Sequence, residues 1–312
     1  MMNKNNDEVF SSINGALKKY NYTPLPFIPI DNAYDFKDPK DVRRIHFQNV
    51  MKMYDNAFNY ISNLPCFHVG YFYATDKMAN LAKKFGFAEK KNMLDLCCGL
   101  GGSMKRLHKQ FKFKITGVDF NLKEIQECHR RLIAEDLEDD ITLLCSNVLD
   151  LKSVGKFDII WSEDSFSHVP DREKLFRIIY DSLKDDGLFV FSDLVKTSSI
   201  ASTEIDSFAK VWFLWEIESI QSYQRLFDEV GFKISDVAFG QGKELVEMHI
   251  KWDMEMGDAI PQVYQEYFDK NEKDLIASWG EKVLEIRKEK MKMYNYLEKG
   301  KLDYPFFVAK KC

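Results

Sequence analysis

The chain predicts an α/β protein built on a doubly wound, mainly parallel sheet. Two observations carry this. Apolar strand-like runs alternate with helical periods from about residue 92 to residue 230, and a glycine-dense turn follows the first such run in NMLDLCCGLGG at 92–102. Strand, helix, strand, helix in that rhythm demands crossover connections, and these give parallel strands with helices over the sheet. Five strands are expected near 92–97, 114–119, 141–145, 157–161 and 187–192, with helices near 102–111, 121–135, 171–184 and 219–230. KISDVAF after Gly231-Phe232 supplies a sixth strand, and the closing YPFFVAKK a seventh.

Before this unit, residues 1–30 are polar and include TPLPFIP, while 40–65 carry apolar positions at helical intervals (Val42, Ile45, Val50, Met53, Phe58, Ile61), as do 74–85. Residues 1–75 are therefore read as an N-terminal helical extension that helps to cover the site, and 76–312 as the main domain. Two stretches depart from simple alternation: 196–223, read as helical and aromatic-rich, and 243–298, charged and amphipathic. Lacking linkers or repeats, they are expected to be helical cap insertions over the carboxyl ends of the strands, where ligands of such sheets bind.

Composition narrows the function classes. With 45% apolar and 30% charged residues the chain is ordinary globular material, and a formal charge of −5 offers no general attraction to nucleic acid or an anionic membrane. No stretch approaches the roughly 18 apolar residues of a membrane span, and MMNKNNDEVF lacks the apolar core of a signal peptide. Six scattered cysteines and six histidines form no metal spacing, so reduced thiols, a cytoplasmic location and no metal are expected. A small-molecule partner follows, and homo-oligomerisation stays open.

The first chemistry lies in the turn. Gly99, Gly101 and Gly102 let the backbone bend and approach a ligand closely, and the next helix opens with free N–H groups. Asp119, 18 residues after Gly101 in ITGVDF, ends the second strand and is placed to take both hydroxyls of a ribose. Together these point to a nucleoside-containing cofactor. It is not a dinucleotide, because Met104 stands where the third glycine of G-x-G-x-x-G belongs, and no phosphate-cradling G-x-x-x-x-G-K-[ST] is present.

Asp95, four residues ahead of Gly99-x-Gly101-Gly102, makes the turn resemble motif I (D-x-G-x-G-x-G) of the class I S-adenosylmethionine-dependent methyltransferases, with Cys97 in place of the first glycine. Cysteine is small, so a modest adjustment of the turn is expected. The resemblance implies a Rossmann-like seven-stranded sheet whose last strand inserts antiparallel near the edge, and S-adenosylmethionine as cofactor. It further implies that Asp95, Cys97, Gly99 and Gly101 line the methionine and sulfonium side and that Asp119 holds the ribose. Phe120 would pack on the adenine, Asn147 and the Val148 backbone would meet its amino edge, and Ser162 would give a backbone contact near the methionyl end. A nucleophilic role for Cys97 or Cys98 is rejected, since methyl transfer from a sulfonium needs no covalent enzyme intermediate and an activated thiol needs a base or cationic surroundings.

A second cluster, FDIIWSEDSFSHVPD at 157–171, places Asp164 and His168 four residues apart beyond the fourth strand. On one helical turn they would share a face, able to orient a nucleophile or accept its proton. The segment resembles the sarcosine/dimethylglycine N-methyltransferases, as do FHVGYF (67–72) and YLEKGKLDYPFFVAKK (296–311), so the similarity runs from about residue 45 to the end. Phosphoethanolamine N-methyltransferases carry the same Asp-x-x-x-His and pair its histidine with an amino-terminal tyrosine, for which Tyr54 and Tyr71 are both available. Their phosphate-binding Arg and Tyr positions have no clear counterpart in AKVWFLWEIES (209–219), which disfavours a phosphobase. The resemblance thus implies N-methylation of a small amine; an O- or C-methyltransferase for a lipophilic or aromatic acceptor is the alternative. Trp212, Trp215 and Tyr223, in an aromatic-rich stretch with Phe208 and Phe213, are the substrate-binding residues expected: a cage for an ammonium, an apolar pocket, or plain core.

Overall fold

The computed structural model describes residues 72–151, 154–197, 200–201, 203–205, 214–239, 273, 292 and 295–311. Tyr54, Tyr71, Trp212 and nearly all of 243–298 lie outside the described residues. The order is α1 (Phe72–Lys83), β1 (Asn92–Leu96), α2 (Gly102–Phe111), β2 (Lys114–Asp119), α3 (Leu122–Ala134), β3 (Ile141–Cys145), β4 (Phe157–Glu163), α4 (Arg172–Ser182) and β5 (Leu183–Ser192). Then come β6 (Val195–Lys196), β7 (Glu218–Ser219), α5 (Ile220–Val230), β8 (Phe232–Ala238), β9 (Leu302–Asp303) and β10 (Phe306–Lys311).

Seven strands form one sheet in the order β3-β2-β1-β4-β5-β10-β8. The first five are parallel, and β10 runs antiparallel between β5 and β8. Seven mainly parallel strands in a doubly wound sheet are what the alternation predicts, and the antiparallel last strand is what the resemblance implies. The strands read as near-continuous apolar runs because both faces are covered. In β5, Leu188 and Val190 face α1, α2 and α3, while Phe189 and Phe191 face α4 and α5. Phe307 of β10 stacks on Phe191 with ring centroids 4.5 Å apart, which seats the last strand. Removing one such buried ring costs about 3–5 kcal/mol.

Helix ends follow local chemistry. Asn121 caps α3 by accepting from the Lys123 amide, Asp171 caps α4 through Lys174, and Ser219 caps α5 through Ser222. α1 begins at Phe72, so a boundary at 75/76 falls inside a helix whose Ala74, Met78, Ala79 and Ala82 are buried in the domain core. The expectation of a helical 196–223 falls partly on residues outside those described (198–199, 202 and 206–213) and needs correction at both ends of that stretch. Residues 203–205 are helical, but β6 and β7 pair in parallel and β9 joins β6 antiparallel, forming a second, three-stranded sheet. Leu194, Ile205, Leu214, Ile217, Leu297 and Leu302 bury one another beside it. Two-residue strands drawn from segments about a hundred residues apart carry no periodic signal that a sequence reading can use.

Candidate cofactor and acceptor site

β1 ends at Leu96, and the chain turns through Cys97 (φ 59°), Gly99 (φ 50°) and Gly101 (φ 78°), all left-handed. The Cys98 amide donates to Val118 O at 3.0 Å and the Gly101 amide to Cys98 O at 2.9 Å, tying the turn to β2 and to itself. Glycine is required at 101 twice over: its φ is positive, and a Cβ there would stand 2.4 Å from Cys128 Sγ. Cys97 accepts a conformation that costs a non-glycine residue about 1–2 kcal/mol. The turn therefore keeps a glycine's conformation without the glycine.

Asp119 does more than end β2. Its Oδ2 accepts the Gly99 amide at 3.0 Å and its Oδ1 the Asn121 amide at 2.9 Å, so one carboxylate anchors the glycine turn and the entry to α3. An ionised carboxylate offers about four acceptor positions; the amides of Gly99, Phe120 and Asn121 take three, which leaves one for a hydroxyl donor. Burial pushes its pKa up, while the amides of Asn121, Gly99 and Phe120 pull it down.

Asp95 and Glu163, at the ends of β1 and β4, and Glu124, in the first turn of α3, converge on the same place. Burial raises the Asp95 carboxyl well above the usual range, and the charges of Glu163 and Asp119 add to it. Burial and then Asp119 do the same to Glu124. Glu163 is pushed up to about 7 by burial, against hydrogen bonds from Thr75, Ser103 and Trp161. None of these four acids has an ion pair among the described residues. Such a basin suits a ligand that brings hydroxyls and positive charge, which S-adenosylmethionine does. Burial, Asp119 and Asp95 hold the Cys97 thiol far above its ordinary value, and burial, Cys128 and Asp119 do so for Cys98. A thiol so shifted stays protonated, which disfavours a nucleophilic role.

Along the edge toward β3, Phe120 is half-buried and outside the core clusters. Asn147 accepts the Leu149 amide at 3.0 Å through its own Oδ1, capping a single 3-10 turn. The Val148 side chain is core, at 5% exposure, so only its backbone is available to a ligand. Ser162 is likewise locked: its hydroxyl donates to Leu96 O at 3.0 Å, bridging β4 to β1.

The acceptor side begins where β4 ends. Asp164 takes a left-handed φ of 49° with its amide bonded to Ser192 O, and the chain then makes a 3-10 turn at Phe166–His168. Asp164 and His168 are both exposed. The surrounding protein and the charges of Asp193 and Glu163 push Asp164 upward against a hydrogen bond from Tyr304, and solvent screens part of that push. The turn is pinned from beneath. Asp193, fully buried, accepts the Ser167 amide at 3.1 Å and the Tyr223 hydroxyl. Trp215 N donates to Ser167 O at 2.7 Å, so the half-buried Trp215 belongs to the segment beside this turn.

Tyr223 is a correction. It is 0% exposed, packed against Phe176, Phe191 and Phe307, and its hydroxyl is spent on Asp193; it is core, not pocket wall. Its spacing to Leu226 and Phe227 on one face of α5 was the available signal. Glu163 and Tyr304, which stand beside Asp164, and Asp193, which supports the turn from the core, are residues that sequence reasoning missed. Glu163 stood inside the SEDS run, whereas Tyr304 lies about 140 residues from Asp164 and had no signal.

The sheet thus carries an acid-anchored glycine turn after β1 and an exposed acid–histidine turn after the neighbouring β4. The chain belongs to the methyltransferase-domain family, whose model matches residues 68–237, more than half of its length. It is 24% identical over 211 residues to phosphoethanolamine N-methyltransferase 1 of Arabidopsis thaliana, covering 63% of this chain and 41% of that protein. It is 22% identical over 201 residues to the sarcosine/dimethylglycine N-methyltransferase of Halorhodospira halochloris, covering 62% and 71%. The chain spans about half the length, or less, of the first curated relatives it matches. Among solved structures, a mycolic acid cyclopropane synthase complexed with S-adenosylhomocysteine superposes with a TM-score of 0.65 at 17% identity, over 85% of this chain and 98% of that one. At that identity the likeness establishes the fold alone. No described helix is long and apolar enough to cross a membrane.

Proposed function

We propose that this chain is an S-adenosylmethionine-dependent methyltransferase acting on the nitrogen of a small amine. One observation carries the reading: the Asp119-anchored glycine turn on β1 and the exposed Asp164–His168 turn on β4 open at the same end of neighbouring strands. The names of the relatives support an amine. S-adenosylmethionine, when bound, supplies an electrophilic methyl group. Asp119 takes a ribose hydroxyl, Asp95 with Gly99, Gly101 and Cys97 the methionyl side, and Phe120, Asn147 and the Val148 backbone the adenine. The Ser162 backbone completes the methionyl end. His168, oriented with Asp164 and partnered by Tyr54 or Tyr71, removes the ammonium proton so that the acceptor lone pair is free. Rate comes mainly from holding the two reactants in line and excluding water.

The amino-terminal residues and the segments 196–223 and 243–298 form the cover, with Trp212 and Trp215 against the acceptor. A cytoplasmic enzyme with no nucleic-acid partner fits the composition, and it works alone or as a homo-oligomer. A tritiated-methyl screen across amino acids, amines, phenols and prenyl compounds tests this. Incorporation into amines alone is expected; incorporation only into phenols or prenyl compounds, or none at all, rejects it.

A further inference from the structure

The second sheet is registered on one rung. Val195 of β6 pairs in parallel with Glu218 of β7 and antiparallel with Asp303 of β9, so the residues just before β6, just before β7 and just after β9 leave the sheet at the same end. From that end each strand hands a contact to the acid–histidine turn. Ahead of β6, Asp193 Oδ1 accepts the Ser167 amide at 3.1 Å. Ahead of β7, the amides of Trp215 and Glu216 donate to Ser167 O at 2.7 and 3.2 Å. Beyond β9, the Tyr304 hydroxyl donates to the Asp164 carboxyl. Both polar backbone groups of Ser167, the residue preceding His168, are therefore taken by the second sheet. The grip is on the backbone alone: the Ser167 hydroxyl, 1% exposed, makes no hydrogen bond among the described residues.

The anchor is itself held fast. Asp193 is 0% exposed, and its carboxylate also takes the Tyr223 hydroxyl and the Leu194 amide. Arg172, which opens α4 and is 6% exposed, ties down the partner segment: Nη2 donates to Glu216 O, and Nη1 lies 3.4 Å from Glu218 Oε1. Moving the turn away would strip a donor from a buried carboxylate, which is strongly disfavoured. We infer that Asp193 is a positioning residue for His168, and that the second sheet is the platform that holds the acid–histidine turn for methyl transfer. The inference rests on the proposed role of His168 as the base. A base works only within hydrogen-bond reach of its proton, and a displacement of about 1 Å can cost about 100-fold in rate. Asp119 and the glycine turn belong to β1 and β2, whereas this network lies beyond β4 and β5, so rate should respond while cofactor affinity does not.

Methyl transfer from tritiated S-adenosylmethionine to the amines of the screen above, read beside S-adenosylhomocysteine calorimetry, tests this. Asp193→Ala is expected to slow transfer about 10–100-fold with S-adenosylhomocysteine affinity unchanged. Asp193→Asn keeps an oxygen for the Ser167 amide and is expected to recover the rate to within about threefold of wild type. A double-mutant cycle then shows whether Asp193 acts through the histidine. In a His168→Ala background, Asp193→Ala is expected to slow transfer by less than about twofold, whereas a merely structural role would multiply the two losses. Tyr304→Phe supplies the same cycle if Asp193→Ala does not fold, with an expected loss of about 3–30-fold that also vanishes in the His168→Ala background. Equal losses in both backgrounds, no recovery in Asp193→Asn, or full transfer by a folded Asp193→Ala overturns the inference while the methyltransferase reading stands. Full transfer by His168→Ala, or no labelled amine with wild type, removes the proposed base and the inference with it.

Discussion

The carboxylate of Asp119 accepts the Gly99 amide at 3.0 Å, so the acid that ends β2 holds the glycine turn that ends β1. Recognition and architecture share one side chain. Asp119→Ala should therefore weaken S-adenosylmethionine and S-adenosylhomocysteine by about 1–3 kcal/mol, or roughly 5–150-fold, and also lower the stability of the ligand-free protein by a similar amount. Calorimetry paired with urea denaturation separates the two; a variant that loses neither removes Asp119 from both roles.

Cys97 and Gly101 share a left-handed backbone but not the same surroundings. Gly101→Ala places a Cβ 2.4 Å from Cys128 Sγ, and it should cost at least about 2 kcal/mol and lower cofactor affinity. Cys97→Gly should be near neutral or stabilising by up to about 1 kcal/mol, because the relieved strain offsets the entropy gained by the unfolded chain. Thermal unfolding of the pair checks the order, and a more damaging Cys97→Gly would contradict it.

Glu163 stands at about 7 instead of 4.5. The folded state holds this proton more tightly than the unfolded chain, so stability falls as pH rises from about 4.5 through 7, by up to about 3 kcal/mol in all. Glu163→Gln should flatten that decline in ligand-free protein. Asp95 and Glu124 are shifted the same way and leave a residual slope. Urea midpoints at about pH 5 and pH 7.5 test it, and an identical slope in wild type and variant would rule it out.

His168 lies exposed on a turn whose backbone is fixed by Ser165 O and, through Ser167, by Asp193. His168→Ala should lower turnover by about 10²–10⁴-fold while S-adenosylhomocysteine affinity holds, with partial rescue at higher pH where the acceptor ammonium deprotonates unaided. Parallel loss of affinity and turnover without rescue would make the histidine structural.

Tyr223→Phe removes the hydroxyl that Asp193 accepts in the core. It should destabilise the protein by about 1–3 kcal/mol and leave the acceptor KM unchanged. An altered KM at full stability would return Tyr223 to the pocket.

Much of this molecule is written locally. The run from NMLDL through the glycine turn to ITGVD specifies strand, turn, helix and strand by periodicities of two and 3.6 residues, and the helix caps at Asn121, Asp171 and Ser219 act within three residues of themselves. The glycine turn and the position of Asp119 were legible for the same reason, whereas Asp164, at φ 49°, lies ahead of the 3-10 turn Phe166–His168, so the one helical turn expected to carry it and His168 does not form. Tertiary structure decided the rest. Tyr223 went to the core because α5 turns its apolar face onto Phe176 and Phe307; β6, β7 and β9 found one another across long stretches of chain. Asp95, Asp119 and Glu163 became a single acidic basin only when β2, β1 and β4 were laid side by side. Propensity and capping are interactions between near neighbours in the chain, whereas burial and Coulomb energy depend on distance in space.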